Sequence, residues 1–241
     1  MYVQGFIVPV PADKQDAYRE VAEKFWPIAH DNGAVEHVEA WEADVSDGKQ
    51  TDFRKAVALE EGEKVVFSWV VWPDKATADA SHEKMMSDPR MEEFGQDMPF
   101  DARRMVFGGF EPIVQAGKPG GGYVDGFVVP VPNGKREAYR EMAATAAGMF
   151  LEHGALRDLE AWGVDTPVGE VTSFPRSVEA ADGESVVFSF VEWPDEATRN
   201  AGWEKVMADE RMKPDFENMP FDGKRMYWGG FAPIVEEGAR S

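Results

Sequence analysis

The chain has 241 residues, 43% hydrophobic and 12% aromatic, which is apolar material enough for one large core or two ordinary ones and argues against disorder. Its 45 acidic and 25 basic side chains leave a formal net charge of −20, so nucleic-acid backbones and anionic membrane surfaces would repel it, although the same surplus of carboxylates also serves plain solubility. With no cysteine, disulfides, thiolate metal sites and thiol nucleophiles are excluded together.

The opening Met1-Tyr2-Val3-Gln4-Gly5 lacks the features of a secretory signal, and no apolar run approaches the roughly 20 residues needed to cross a bilayer. A soluble cytoplasmic protein is the expectation. Val3 to Val10 mixes β-branched and aromatic residues and predicts a strand ended by Pro11. Asp13 can cap the helix that follows, with Ala17, Val21 and Phe25 at helical spacing and Gly33 at its C-terminus. Val35 to Trp41 predicts a second strand and Val65 to Trp72 a third, separated by a polar, glycine-containing turn. Asp74 suits the cap of a second helix reaching about Met91, and Arg104 to Val114 predicts the last strand.

The whole pattern then repeats. Tyr2-Val3-Gln4-Gly5-Phe6 returns as Tyr123-Val124-Asp125-Gly126-Phe127, Met98-Pro99-Phe100-Asp101 as Met219-Pro220-Phe221-Asp222, and Gly108-Gly109-Phe110 as Gly229-Gly230-Phe231. A shift of 121 positions aligns the two copies without a gap. Residues 1–115 and 123–241 are therefore expected to be two units, joined by a glycine-rich linker at 116–122.

Each unit reads β-α-β-β-α-β, the ferredoxin-like order, an antiparallel sheet with both helices on one face. Phe6, Phe67, Trp69, Trp72 and Phe107 make both sides of that sheet too apolar for water, so the second face should close on the other unit. The expected fold is α+β: two ferredoxin-like βαββαβ repeats packed sheet to sheet as an intramolecular dimeric α/β barrel. Such a chain is a pseudo-dimer by itself, expected as a monomer or weak homodimer.

The opening Tyr-Val-x-Gly-Phe-x-Val-Pro-Val-Pro, the segment Thr172-Ser173-Phe174-Pro175-Arg176, the run Val186-Val187-Phe188-Ser189 and the ending Met219 to Met226 resemble the YbaA-like family of small bacterial proteins. The resemblance covers both units. It implies the dimeric α/β-barrel architecture, shared with small cofactor-free monooxygenases, stress-response barrel proteins and some haem enzymes, and it implies no reaction. The first unit departs from the pattern at Asp52-Phe53-Arg54-Lys55, and at Asn32 where the second has His153.

None of the four histidines, His30, His37, His82 and His153, has a histidine at the matching position, which excludes a histidine centre present in both halves; no metal and no cofactor is expected. Glu39 and Glu160 interrupt apolar strands at matching places. Alternation would send Val38 and Ala40 toward the helices and the glutamates with Trp41 and Trp162 toward the partner sheet, where a desolvated carboxyl can exchange a proton near neutrality. The alternative is an ion pair with Arg104 or Arg225 across the sheet, or a place near the strand end where water reaches the carboxyl. Trp41, Trp162, Phe53 and Phe174 can wall a ligand cavity or simply fill a core, and Met85, Met86 and Met207 read as core fillers. Ser68 and Ser189 place a hydroxyl in the third strand without the elbow motif of a hydrolase. Arg104, Arg225 and Arg176, with Lys55, are the cations placed to meet an anionic ligand. These residues together predict a small-molecule-binding barrel, extending to a cofactor-independent enzyme working through Glu39 or Glu160. The competing reading is a non-catalytic structural or interaction module with a packed interior.

Overall fold

A computed structural model describes residues 1–94, 98–212 and 219–238. The first unit contains β1 (Tyr2–Pro11), α1 (Gln15–Asp31), β2 (Glu36–Asp44), the short α2 (Phe53–Ala56), β3 (Glu63–Trp72), α3 (Lys75–Met86) and β4 (Val106–Gly117). The second repeats them as β5 (Tyr123–Pro132), α4 (Arg136–Glu152), β6 (Arg157–Asp165), α5 (Phe174–Ser177), β7 (Glu184–Trp193), α6 (Glu196–Ala208) and β8 (Tyr227–Gly238).

All eight strands close into one antiparallel barrel in the order β1-β3-β2-β8-β5-β7-β6-β4. The units are thus joined by strand pairing as well as by packing. β2 pairs with β8 from Glu36↔Gly238 to Asp44↔Gly230, and β4 pairs with β6 from Gly109↔Asp165 to Gly117↔Arg157. Closure removes every free strand edge, which a lone unit would expose. β4 continues through Gly117, so the connection to β5 is made by Lys118 to Gly122 alone. Glycine is required at Gly109 and Gly230, where a Cβ would strike the hydroxyls of Tyr2 and Tyr123.

Several local details differ from the sequence reading. Asp13 belongs to a short 3-10 turn and caps nothing, whereas Asp74 accepts from the Thr77 amide at 2.7 Å as a cap should. α3 stops at Met86, with the Ser87 amide closing on Lys84, because Pro89 soon follows. The last strand starts at Val106 because Ala102–Arg104 forms a further 3-10 turn. Met86 and Met207 are exposed at 70% and 68%, so they are not core fillers.

The lumen is solid. Phe67 stacks on Phe188 with centroids 4.6 Å apart, and Trp69 stacks on Phe190 at 4.0 Å. These are matched positions, so the pseudo-twofold axis runs between them. At one end of the lumen α2 and α5 insert Phe53 and Phe174, both fully buried, against Phe231 and Phe110. Burying each such ring stabilises the fold by roughly 1.5–3 kcal/mol. Near the other end Glu36 and Arg157, again matched positions, form a buried ion pair at 2.7 Å. Arg157 also reaches Glu192 at 3.3 Å and lies over the Phe190 ring, while Trp69 Nε1 donates to Glu36 at 2.7 Å.

Candidate functional site

The strand alternation has the opposite sense from the one expected. Val38, Ala40, Leu159 and Ala161 face the lumen, and Glu39, Trp41, Glu160 and Trp162 face the helices. The reason is volume: aromatic rings from β3 and β7 already fill the lumen, leaving room on β2 and β6 only for smaller side chains. Neither glutamate therefore lies at the sheet-to-sheet interface.

Beneath α1, Glu39 accepts from the Tyr18 hydroxyl at 2.7 Å, and His37 Nε2 lies 2.8 Å from its other oxygen. The His37 ring is flanked by Phe25, edge-on at 5.5 Å, and by Trp26, stacked at 6.3 Å. Beneath α4, Glu160 accepts from the Tyr139 hydroxyl at 2.7 Å and from Ser189 on the neighbouring strand. The position of His37 is taken by Asp158, and those of Phe25 and Trp26 by Ala146 and Ala147.

On the Ala146 side a cavity of about 620 Å³ lies between α4, α6 and the outer surface of β5 and β7. Met142, Ala146, Phe150, Trp203, Met207 and Phe221 make most of its wall apolar, and Tyr139, Glu160 and Ser189 give it a polar floor. Burial pushes the Glu160 carboxyl up to about 7, against the pull of its two hydrogen bonds. Asp158, 1% exposed, is raised as well, by burial first and then by the charge of Glu160. Among the described residues neither Asp158 oxygen has a hydrogen-bond partner.

The other predicted site residues are dispersed. Phe53 and Phe174 are lumen plugs. Trp41 packs against the cluster of Val8, Val10, Tyr18 and Val66, and Trp162 belongs to the cluster that holds Tyr139, under the Arg136 guanidinium. Ser68 faces Glu39 across the β2–β3 pairing, as Ser189 faces Glu160. Arg104 is held by Glu63 through two contacts of 2.6 Å and Arg225 by Glu184 at 2.7 and 2.8 Å, so neither pairs with Glu39 or Glu160. Arg176 is exposed and donates to the Glu170 carbonyl, and Lys55 pairs with Asp52. Glu152, His153 and Asp209 bring potential metal ligands within 4.8 Å, but Arg211 already sits there, 2.6 Å from Glu152 and 2.7 Å from Asp209. No described helix is long and apolar enough to cross a membrane.

Residues 1–102 and 122–223 each match the family described as "Protein of unknown function (DUF1428)". The chain belongs to this family, carrying it twice. It is similar to YbaA of Escherichia coli K12, 60% identical over 113 residues that make up 47% of this chain and 97% of that one. The likeness read from the motifs therefore stands. Among solved structures it is similar to a candidate monooxygenase from Fusobacterium nucleatum (TM-score 0.62, 11% identity, covering 100% of this chain and 95% of the other). A second candidate monooxygenase, from Lactobacillus acidophilus, gives a TM-score of 0.60 at 9% identity, covering 98% and 95%. At such identities the likeness is one of fold. The second unit carries the open space described above, beside the half-buried Glu160.

Proposed function

We propose that the chain binds an apolar small molecule in the cavity beneath α4 and α6, with Glu160 as the group that exchanges a proton with it. The observation that carries this reading is a space of about 620 Å³, within the usual range for ligand sites, whose mostly apolar wall opens onto Glu160, Tyr139 and Ser189. A carboxyl raised to about 7 is poised to act as acid or base at neutral pH. Packing fills the lumen, so the reading of a packed, non-catalytic interior applies there and leaves the helix layer free to bind.

The test uses diphenylhexatriene, an uncharged hydrocarbon that fluoresces only in apolar surroundings. Titration should saturate at one site per chain. Ala146→Phe, which installs the residue found at the matching position of the first unit, should weaken binding at least about tenfold while the thermal transition stays cooperative. Saturable binding that ignores Ala146→Phe, or no saturable binding at all, would sink the proposal.

A further inference from the structure

Ligand chemistry at this site can be read from the other half of the molecule. In the first unit the chain provides its own occupant: the His37 imidazole, held against Glu39 at 2.8 Å and flanked by the rings of Phe25 and Trp26. All three side chains are replaced in the second unit, by Asp158, Ala146 and Ala147. A basic nitrogen ring and two aromatic rings are exchanged for a carboxyl and two methyl groups. Ala146 lines the resulting cavity, as does Val191, the neighbour of Asp158 across the β6–β7 pairing.

Charge accounting points the same way. Asp158 and Glu160 project from one face of β6, two residues apart. Tyr139 and Ser189 satisfy Glu160, while both oxygens of buried Asp158 lack a donor among the described residues. A buried carboxyl left in that condition costs free energy that a donor would recover. The cation on the cavity wall, Arg211, is engaged with Glu152 and Asp209.

We infer that the ligand is an apolar molecule bearing a basic nitrogen, an alkyl or aryl amine or an imidazole-like base, whose N–H docks on the Asp158–Glu160 pair in the place where His37 serves Glu39. This rests on the cavity being a binding site. A bound cation would favour the charged form of both carboxyls, which burial raises, with the charge of Glu160 adding to the rise at Asp158, so they would ionise as it docks.

The experiment displaces diphenylhexatriene from the intact chain with decylamine, decanol or decanoate, at neutral pH and in enough salt to screen the general negative charge. Decylamine should displace the probe at about tenfold or more lower concentration than decanol, the advantage of a charge-assisted hydrogen bond, and decanoate should be poorest. In Asp158→Asn, and separately in Glu160→Gln, the amine-to-alcohol ratio should fall toward one. Equal displacement by amine and alcohol, or an amine preference that survives both variants, overturns the inference and leaves the cavity proposal standing. Failure of the parent protein to bind the probe overturns both.

Discussion

The two units share their strand order, their helices and a tyrosine-bound glutamate, and they differ in what surrounds that glutamate. In the first, His37, Phe25 and Trp26 close around Glu39; in the second, alanines and Asp158 leave open space beside Glu160. In a symmetric pair of identical chains, one residue type at such a position would have to serve both as filler and as wall. Fusion releases that constraint, and one pair inside the lumen uses the same freedom. Glu36 and Arg157 are matched positions that bond to each other, an arrangement an identical pair could not make, since it would oppose two acids or two bases. Arg157→Ala should break the comparison most severely. It would leave Glu36 and Glu192 buried together without their cation, a loss of about 3–5 kcal/mol in urea unfolding. Adding Glu36→Gln should recover part of that loss, because only one of the two carboxylates then remains. A loss below about 1 kcal/mol in the single variant would mean that the charge asymmetry is not needed to close the barrel.

Much of this architecture was legible in the sequence because it was written twice. A shift of 121 positions aligns the units, and runs such as Val65 to Trp72 state a strand by composition alone. The short helices at Phe53 and Phe174 escaped because four residues carry no helical period; only their capping residues, Asp52 and Ser173, announce them. The β2–β8 and β4–β6 pairings escaped because register between distant edges is set by bulges, here between Glu39 and Ala40 and between Pro112 and Val114. The sense of the glutamate face was misread for a simpler reason. Alternation separates two faces without saying which is the lumen, and Val38 and Ala40 suit either. The signal that resolves the site lies in the differences between copies, Phe25 against Ala146 and His37 against Asp158, where the repeat stops repeating.

Glu160 offers the next test. At low pH its carboxyl is protonated whether the chain is folded or not, and it contributes nothing to any pH trend. Between its ordinary value of 4.5 and its folded value of about 7 only the unfolded chain ionises, so the folded state loses stability as pH rises, by roughly 3 kcal/mol in total. Above that range both states are ionised and the loss stays constant. Asp158, raised in the same direction, adds to the trend. Glu160→Gln removes the carboxyl's own part and eases Asp158. Denaturant unfolding at about pH 5 and about pH 8 should therefore show the variant gaining on the parent protein toward the higher pH. Parallel trends would mean that Glu160 is hydrated and ordinary, and would remove it from proton exchange with a ligand.

The smallest expected effect is also the most specific to the comparison. Ala146 is half-buried at the cavity wall, on a helix whose first-unit counterpart carries Phe25 at this position against the His37 ring. Filling open apolar space with a ring removes surface from water without forcing neighbours apart, a gain that exceeds the roughly 0.5 kcal/mol by which alanine is the better helix former. Ala146→Phe should therefore stabilise the second unit by about 1–2 kcal/mol, seen as a higher urea midpoint with an unchanged slope. A core already at native density would respond in the opposite direction, by about 1–3 kcal/mol of strain. The sign of this one substitution thus decides whether the space beside Glu160 persists in solution. A stabilising result that coincides with lost probe binding means that the second unit forgoes stability to keep a cavity open, as a binding site does and a structural core does not.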